Sequence, residues 1–243
     1  MLAGMSSRTM AAACVLAVIA IDVPSAPAAK IVERRVIGHS VRDRPLRARN
    51  VGARSNATRV LVVGCMHGNE CAGKRIVRKL RRMPRSKNFE LWLIGSLNPD
   101  GEVKGRRQNA RGVDLNRNFP AGWRGGGQPG DTYYPGPRPH SEPETRAAMR
   151  FIKDVRPDVT IWYHQAMALV TKRSRHNRIP RLYARRVGLP LRKLERLPGT
   201  SSRWQNKKWP GHVSFVVELP AGSLTNRATR RHARAVKAVA RAW

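Results

Sequence analysis

Four short stretches carry nearly unbroken runs of apolar residues: Arg59-Val-Leu-Val-Val-Gly64, Leu91-Trp-Leu-Ile-Gly95, Asp158-Val-Thr-Ile-Trp-Tyr163 and Ser214-Phe-Val-Val-Glu218. They have the length of strands but lack the alternation of a strand with one wet face, so they read as strands buried on both sides of a sheet. Two shorter strands, Ile31–Ile37 and Leu46–Ala48, flank the turn-like His39–Pro45. Helical spacing appears between the runs. Ala72–Arg82 places Ile76, Val77 and Leu80 on one face, Glu142–Val155 is a second helix, and Asn226–Trp243 closes the chain. Ser141, with Glu144 three residues on, is expected to cap the second of these. Strands alternating with helices predict a single α/β domain, a central mixed and largely parallel sheet covered by helices on both faces. Asn98-Pro-Asp-Gly101 reads as a turn, and Glu102–Pro139 as a loop long enough to expect a function of it.

Charge adds a feature the pattern lacks. The 243 residues hold 48 Lys and Arg against 15 Asp and Glu, a net charge of +33. A field of that size attracts polyanions: nucleic acid, anionic lipid or cell-wall polymers. The basic residues follow no single stripe along the sequence, and a general drift of surface positions toward Arg accounts for them as well. With 6% aromatic residues, the interleaved stacking platforms of a single-strand nucleic-acid binder are not expected.

The first residues read as a targeting segment. Arg8 precedes the apolar run Met10–Ile21, and Ala26-Pro27-Ala28 offers a small-x-small cleavage site. The expectation is a signal peptide over 1–28, a catalytic domain over 29–243 and a mature protein outside the cytoplasm without a transmembrane segment, an uncleaved anchor being the alternative. Its removal takes away Arg8 and Asp22 and leaves the net charge unchanged. Cys65 and Cys71 then remain. An oxidising compartment permits a disulfide between them, but spacing alone does not fix the geometry, and two free thiols are slightly favoured.

Candidate chemistry gathers where the strands end. His67 and Glu70 follow the first buried strand, His164 ends the third and Glu218 ends the fourth. In open α/β sheets ligands collect beyond the carboxyl ends of the strands. Two His and a Glu leave a coordination position open on zinc, the arrangement of catalytic sites. Taken singly, His-x-x-Glu is a common pattern, and a strand-end histidine is more often part of a core. Glu218 carries more weight: a carboxylate after Ser-Phe-Val-Val must be paired, metal-linked or functional if buried.

His67-Gly-Asn-Glu70, the loop residue Arg107, the run Asp114-Leu-Asn-Arg-Asn118, His164 and Glu218 occur in the order found in zinc carboxypeptidases, which this sequence resembles. The similarity is greatest to the smaller bacterial branch that includes murein peptide amidase. It extends over Gly38–Pro45, Tyr163-His-Gln165, Gly199-Thr200, Trp204-Gln-Asn206 and Phe215–Gly222. The resemblance implies one Zn²⁺ held by His67, Glu70 and His164, with Arg107 polarising the scissile carbonyl. It implies Asn116 and Arg117 gripping a substrate carboxylate, and Glu218 as the general base toward the attacking water. Asp114 resembles the carboxylate that orients His67 from behind, and reads equally as a loop brace. Larger relatives use a mobile tyrosine between the last ligand and the base. Only Tyr183 lies in that interval here, in a very basic segment that does not suggest the role.

These expectations describe a secreted metallopeptidase acting on a small cell-wall peptide, at the γ-D-glutamyl–diaminopimelate bond. Two alternatives stand beside it. One is a zinc-dependent deacylase of N-acyl amino acids. The other is a basic polyanion binder with a degenerate site.

Overall fold

The computed structural model describes Met1 and residues 33–52, 57–84, 86–173 and 176–243. The expected signal segment and the start of the first expected strand lie outside the described residues. The chain divides into two units, Met1–Ile31 and Val32–Trp243, and the second holds the described elements.

A seven-stranded mixed sheet forms the centre. Its strands are β1 (Arg34–His39), β2 (Pro45–Asn50), β3 (Thr58–Val63), β4 (Phe89–Ile94), β5 (Val159–Thr171), β6 (Leu191–Arg192) and β7 (Val213–Pro220). β1, β2 and β4 pair antiparallel, while β4, β3 and β5 run parallel. The helices are α1 (Gly73–Arg82), α2 (Pro99–Lys104), α3 (Pro143–Val155), α4 (Arg178–Val187), α5 (Ser201–Lys208) and α6 (Asn226–Ala242).

The apolar runs are buried on both faces because two cores share them. Alternate residues of each strand point to opposite faces. Val60 and Val62 of β3 therefore join a cluster with Ile76, Leu80, Tyr183 and Val236, whereas Leu61 and Val63 join one with Phe151, Ile152, Trp162 and Trp204. Helices α1, α4 and α6 cover the first face, α3 and α5 the second. Each fully buried aliphatic side chain contributes about 1.5–3 kcal/mol relative to an exposed one.

Strand β5 departs from the sequence reading, which ends it at Tyr163. It pairs with β7 in step from Val159 with Val213 to Ala166 with Pro220, and then the partner numbers run backwards, Leu169 with Glu218 and Val170 with Val217. The chain therefore turns near Ala168, whose φ is +51°, and doubles back along β7. The in-step stretch before the turn holds His164 and Glu218 side by side as cross-strand partners.

Two helix starts and two whole helices also differ. Asn98-Pro-Asp-Gly101 opens α2 rather than a simple turn, with the Asn98 side chain accepting from Gly101 N at 2.9 Å. Helix α3 has Glu142 at its N-cap and no side-chain cap. Ser141 instead donates to Glu142 at 2.7 Å and accepts from Asn118 at 2.9 Å, so it ties the long loop to the helix. Arg178–Val187 and Ser201–Lys208 form helices that basic residues conceal in the sequence.

Candidate metal centre

The turn after β3 carries His67 and Glu70, and it is tightly packed. A Cβ added to Gly68 would lie 2.0 Å from the backbone of Gly101, so the turn rests on α2 through a residue without a side chain. Cys65 and Cys71 bracket it, joined in a disulfide with a Cα–Cα distance of 4.6 Å. Spacing does not reveal this pairing; the close return of the turn into α1 does, and it corrects the expectation of free thiols.

Three donor atoms converge beyond the strand ends. His67 Nδ1 lies 2.9 Å from Glu70 Oε2, His164 Nδ1 lies 3.0 Å from the same oxygen, and the two nitrogens are 3.1 Å apart. All three residues are buried. Tetrahedral zinc with ligands at about 2.0–2.1 Å sets its donors roughly 3.3 Å apart, so small outward adjustments would admit the ion. Two imidazole nitrogens directed at one carboxylate oxygen suit a cation better than they suit one another. The residues present fit zinc.

Behind His67, Asp114 accepts from its Nε2 at 2.9 Å. The same carboxylate accepts from Asn116 N at 2.8 Å and from Arg107 at 2.9 and 3.1 Å. Asp114 thus fixes the His67 ring and braces the loop at once. Glu70 and Asp114 are both held well below the usual carboxylate range. Burial opposes this, but hydrogen bonds from His164 and His67 outweigh it for Glu70, and the His67 charge and hydrogen bond do so for Asp114. His164 is pushed down by burial, whereas Asp114 raises His67 against the same penalty.

Glu218 is the exception among the acids. Its carboxyl is pushed up to about 7, first by burial and then by the charge of Glu70. Its Oε2 is buried without a protein partner. A carboxyl that changes protonation near neutrality beside a ligand set has the property required of a general base.

The expected substrate-binding residues lie on the long loop. Arg107 donates to Glu70 Oε1 at 2.6 Å as well as to Asp114, which sets its guanidinium beside the ligand set. The side-chain oxygen of Asn116 accepts from Ser201 N at 3.0 Å and Oγ at 3.1 Å. Arg117 donates to Asn116 O at 2.9 Å.

Two contributors escape sequence reasoning. The exposed ring of Tyr133 carries the Arg107 and Arg117 guanidiniums 5.4 and 4.8 Å from its centroid, with nothing in the sequence to single it out. Gln165 donates its N–H to Glu70 at 3.3 Å, accepts from Ala72 N at 3.0 Å, and donates its amide to Pro220 and Gly222. It clamps the metal turn to the ends of β5 and β7. Tyr183, by contrast, is fully buried and hydrogen-bonds Tyr163 at 2.6 Å and His232 at 2.8 Å. This core network excludes it as a mobile active-site tyrosine.

Residues 25–186 match the sequence profile of the family described as Zinc carboxypeptidase. The chain belongs to the zinc carboxypeptidase family. Within it, murein peptide amidase A of Escherichia coli K12 is 32% identical over 154 residues, 54% of this chain and 58% of that protein. The namesake from Vibrio campbellii is 28% identical over 212 residues, covering 79% and 82%. The solved murein-tripeptide amidase MpaA of Escherichia coli O157 superposes with a TM-score of 0.70 at 26% identity, covering 90% of this chain and 97% of its own. The first of these matches spans little more than half of the relative, while the structural match spans nearly all of it.

Proposed function

We propose that the protein is an exported zinc-dependent amidase that hydrolyses γ-D-glutamyl–diaminopimelate bonds in murein-derived peptides. The observation that carries this reading is the convergence of His67, Glu70 and His164 beside a carboxyl with a pKa near 7, Glu218. Similarity to murein peptide amidases supports the substrate class, and the Arg8 to Ala28 pattern supports export.

Zinc bound in this site would supply a Lewis acid and bring the pKa of water near neutrality. His67, Glu70 and His164 would hold it, and Asp114 fixes the His67 ring. Glu218 takes a proton from the attacking water and delivers it to the departing amine nitrogen. Arg107, at the edge of the ligand set, steadies the developing charge on the scissile carbonyl oxygen. Arg117 and Asn116, on the same loop, receive a substrate carboxylate, for which an arginine fork is suited.

The test is bound zinc together with hydrolysis of L-Ala-γ-D-Glu-diaminopimelate, for the wild type and Glu218→Gln. The expected result is one zinc in each and a loss of turnover of roughly 10²–10⁴-fold in the variant. Zinc binding with an intact peptide would turn the substrate search to N-acyl amino acids. Absence of zinc after reconstitution would end the enzymatic reading.

A further inference from the structure

The basic residues that form no stripe in the sequence form one in space. Helices α1, α4 and α6 lie together on one face of the sheet. Arg75 of α1 donates to Asn226 of α6 at 2.9 Å, and Lys237 of α6 to Pro84 O, just past α1, at 2.8 Å. The three helices carry six, four and six Lys or Arg. None of the chain's 15 acids lies in any of them. Helix α3, on the other face, mixes Arg146, Arg150 and Lys153 with Glu144 and Asp154. Lys74 of α1 pairs with Glu102 at the edge of this face, but a general drift toward Arg does not account for three helices with no acid of their own beside a fourth with both signs.

Between α4 and α6 lies a groove of about 510 Å³ walled by Arg186, Arg234, Lys237 and Arg241, over a floor that includes Leu182 and Ala238. Burial and the neighbouring Arg241 charge both lower the Lys237 ammonium, so the cations here repel one another until an anion arrives. From this concentration of charge in a groove we infer that the α4–α6 face is a docking surface for a linear phosphate polymer without bases.

Each feature of the face narrows the occupant. Helices α4 and α6 hold nine arginines and one lysine, and the arginine fork matches a phosphate group by two parallel hydrogen bonds. A helical face that seats stably in a bilayer buries apolar side chains in it as well as meeting its charge. The exposed large apolar residues among the described ones include none within α1, α4 or α6. Trp243, just past α6, lines a different cavity with Arg59, Asp158 and His212. Bases would require aromatic platforms, which the face lacks. The groove also lies away from the metal turn. Helix α1 leaves that turn and runs about 15 Å to Met83 at the groove, so a polymer bound there leaves the catalytic end of the sheet open.

The inference is independent of the proposed chemistry and is tested by binding of inorganic polyphosphate to the full chain. At 150 mM salt the triple variant Arg186→Glu, Arg234→Glu, Arg241→Glu should lose at least about tenfold in affinity. A control of equal charge change on the other face, Arg150→Glu, Lys153→Glu, Lys207→Glu, should lose less than about twofold. The slope of log K against log salt should flatten in the groove variant by roughly 0.7 for each phosphate contact removed. Hydrogen-exchange protection on the wild type, which needs no variant, should fall on α4 and α6. Equal losses in the two triples would make net charge the cause and overturn the assignment. So would tighter binding to anionic phosphatidylglycerol vesicles, equal binding to polyglutamate of the same charge, or no binding of polyphosphate.

Discussion

At the scale of single residues, Asp114 carries the most consequence for the fewest atoms. It accepts from His67 Nε2, from Arg107 and from the Asn116 backbone. Asp114→Asn keeps the volume and removes the charge, and its amide leaves one acceptor where two oxygens accepted. The expected outcome is a 10–100-fold weaker zinc affinity in a chelator competition, with the fold retained by circular dichroism. Unchanged affinity would show that the loop, and not Asp114, orients His67. Gly199 is a second such point. Its φ is +64°, and an added Cβ would sit 1.9 Å from the Arg117 carbonyl. Gly199→Ala should displace Arg117, raising KM for a carboxylate-bearing peptide more than it lowers kcat. The sequence exposed the His67, Glu70 and His164 group because the order of these residue types is particular to the family. It hid the roles of Tyr133, Gln165 and Ser201 because these act through backbone groups, an aromatic face and neighbours far along the chain, none of which leaves a local pattern.

At the scale of elements, the buried strands were legible because a double-faced strand needs an unbroken apolar run. Helices α4 and α5 were not, since their exposed positions are so uniformly basic that the periodicity shows only in Ile179, Tyr183 and Trp204. The doubling back of β5 was invisible as well: it is set by a turn at Ala168 and by pairing with a strand more than forty residues away. The start of α3 carries a prediction of its own. Glu144 accepts from Val41 N at 3.1 Å and Asn109 Nδ2 at 3.2 Å, tying the turn after β1, the long loop and the helix together. Burial, aided by the charge of Glu142, pushes its carboxyl up to about 7. The native chain keeps this proton up to about pH 7, and the unfolded chain loses it near 4.5. Between those values the native state binds more protons, so this group makes stability fall as pH rises. Glu144→Gln should remove that component, a gain of the order of 2–3 kcal/mol at pH 8 and little at pH 4.5. Denaturant midpoints at the two pH values measure it, and parallel pH profiles for variant and wild type would refute it.

At the scale of the whole molecule, the candidate metal centre is a junction of the fold. β3, β5 and the long loop each deliver a group to it, and β7 sets Glu218 alongside. The disulfide closes only the turn, so it leaves the other three contributors free to separate. Without a cation, two imidazoles and a carboxylate are buried against one another, and their desolvation is repaid only by hydrogen bonds among themselves. Binding to the native state alone stabilises by mass action, about 2.7 kcal/mol when free metal is a hundred times the dissociation constant. For a chain of this length that corresponds to a Tm about 5–10 °C higher than after chelation. Glu218→Gln should keep this shift in full, because Glu218 is not one of the donors. His164→Ala should abolish it, because the donor set then falls to two from one turn. Thermal unfolding of the three proteins with and without chelator decides the matter: a shift that persists in His164→Ala would place the metal elsewhere, and one lost in Glu218→Gln would make that carboxyl a ligand in place of a base.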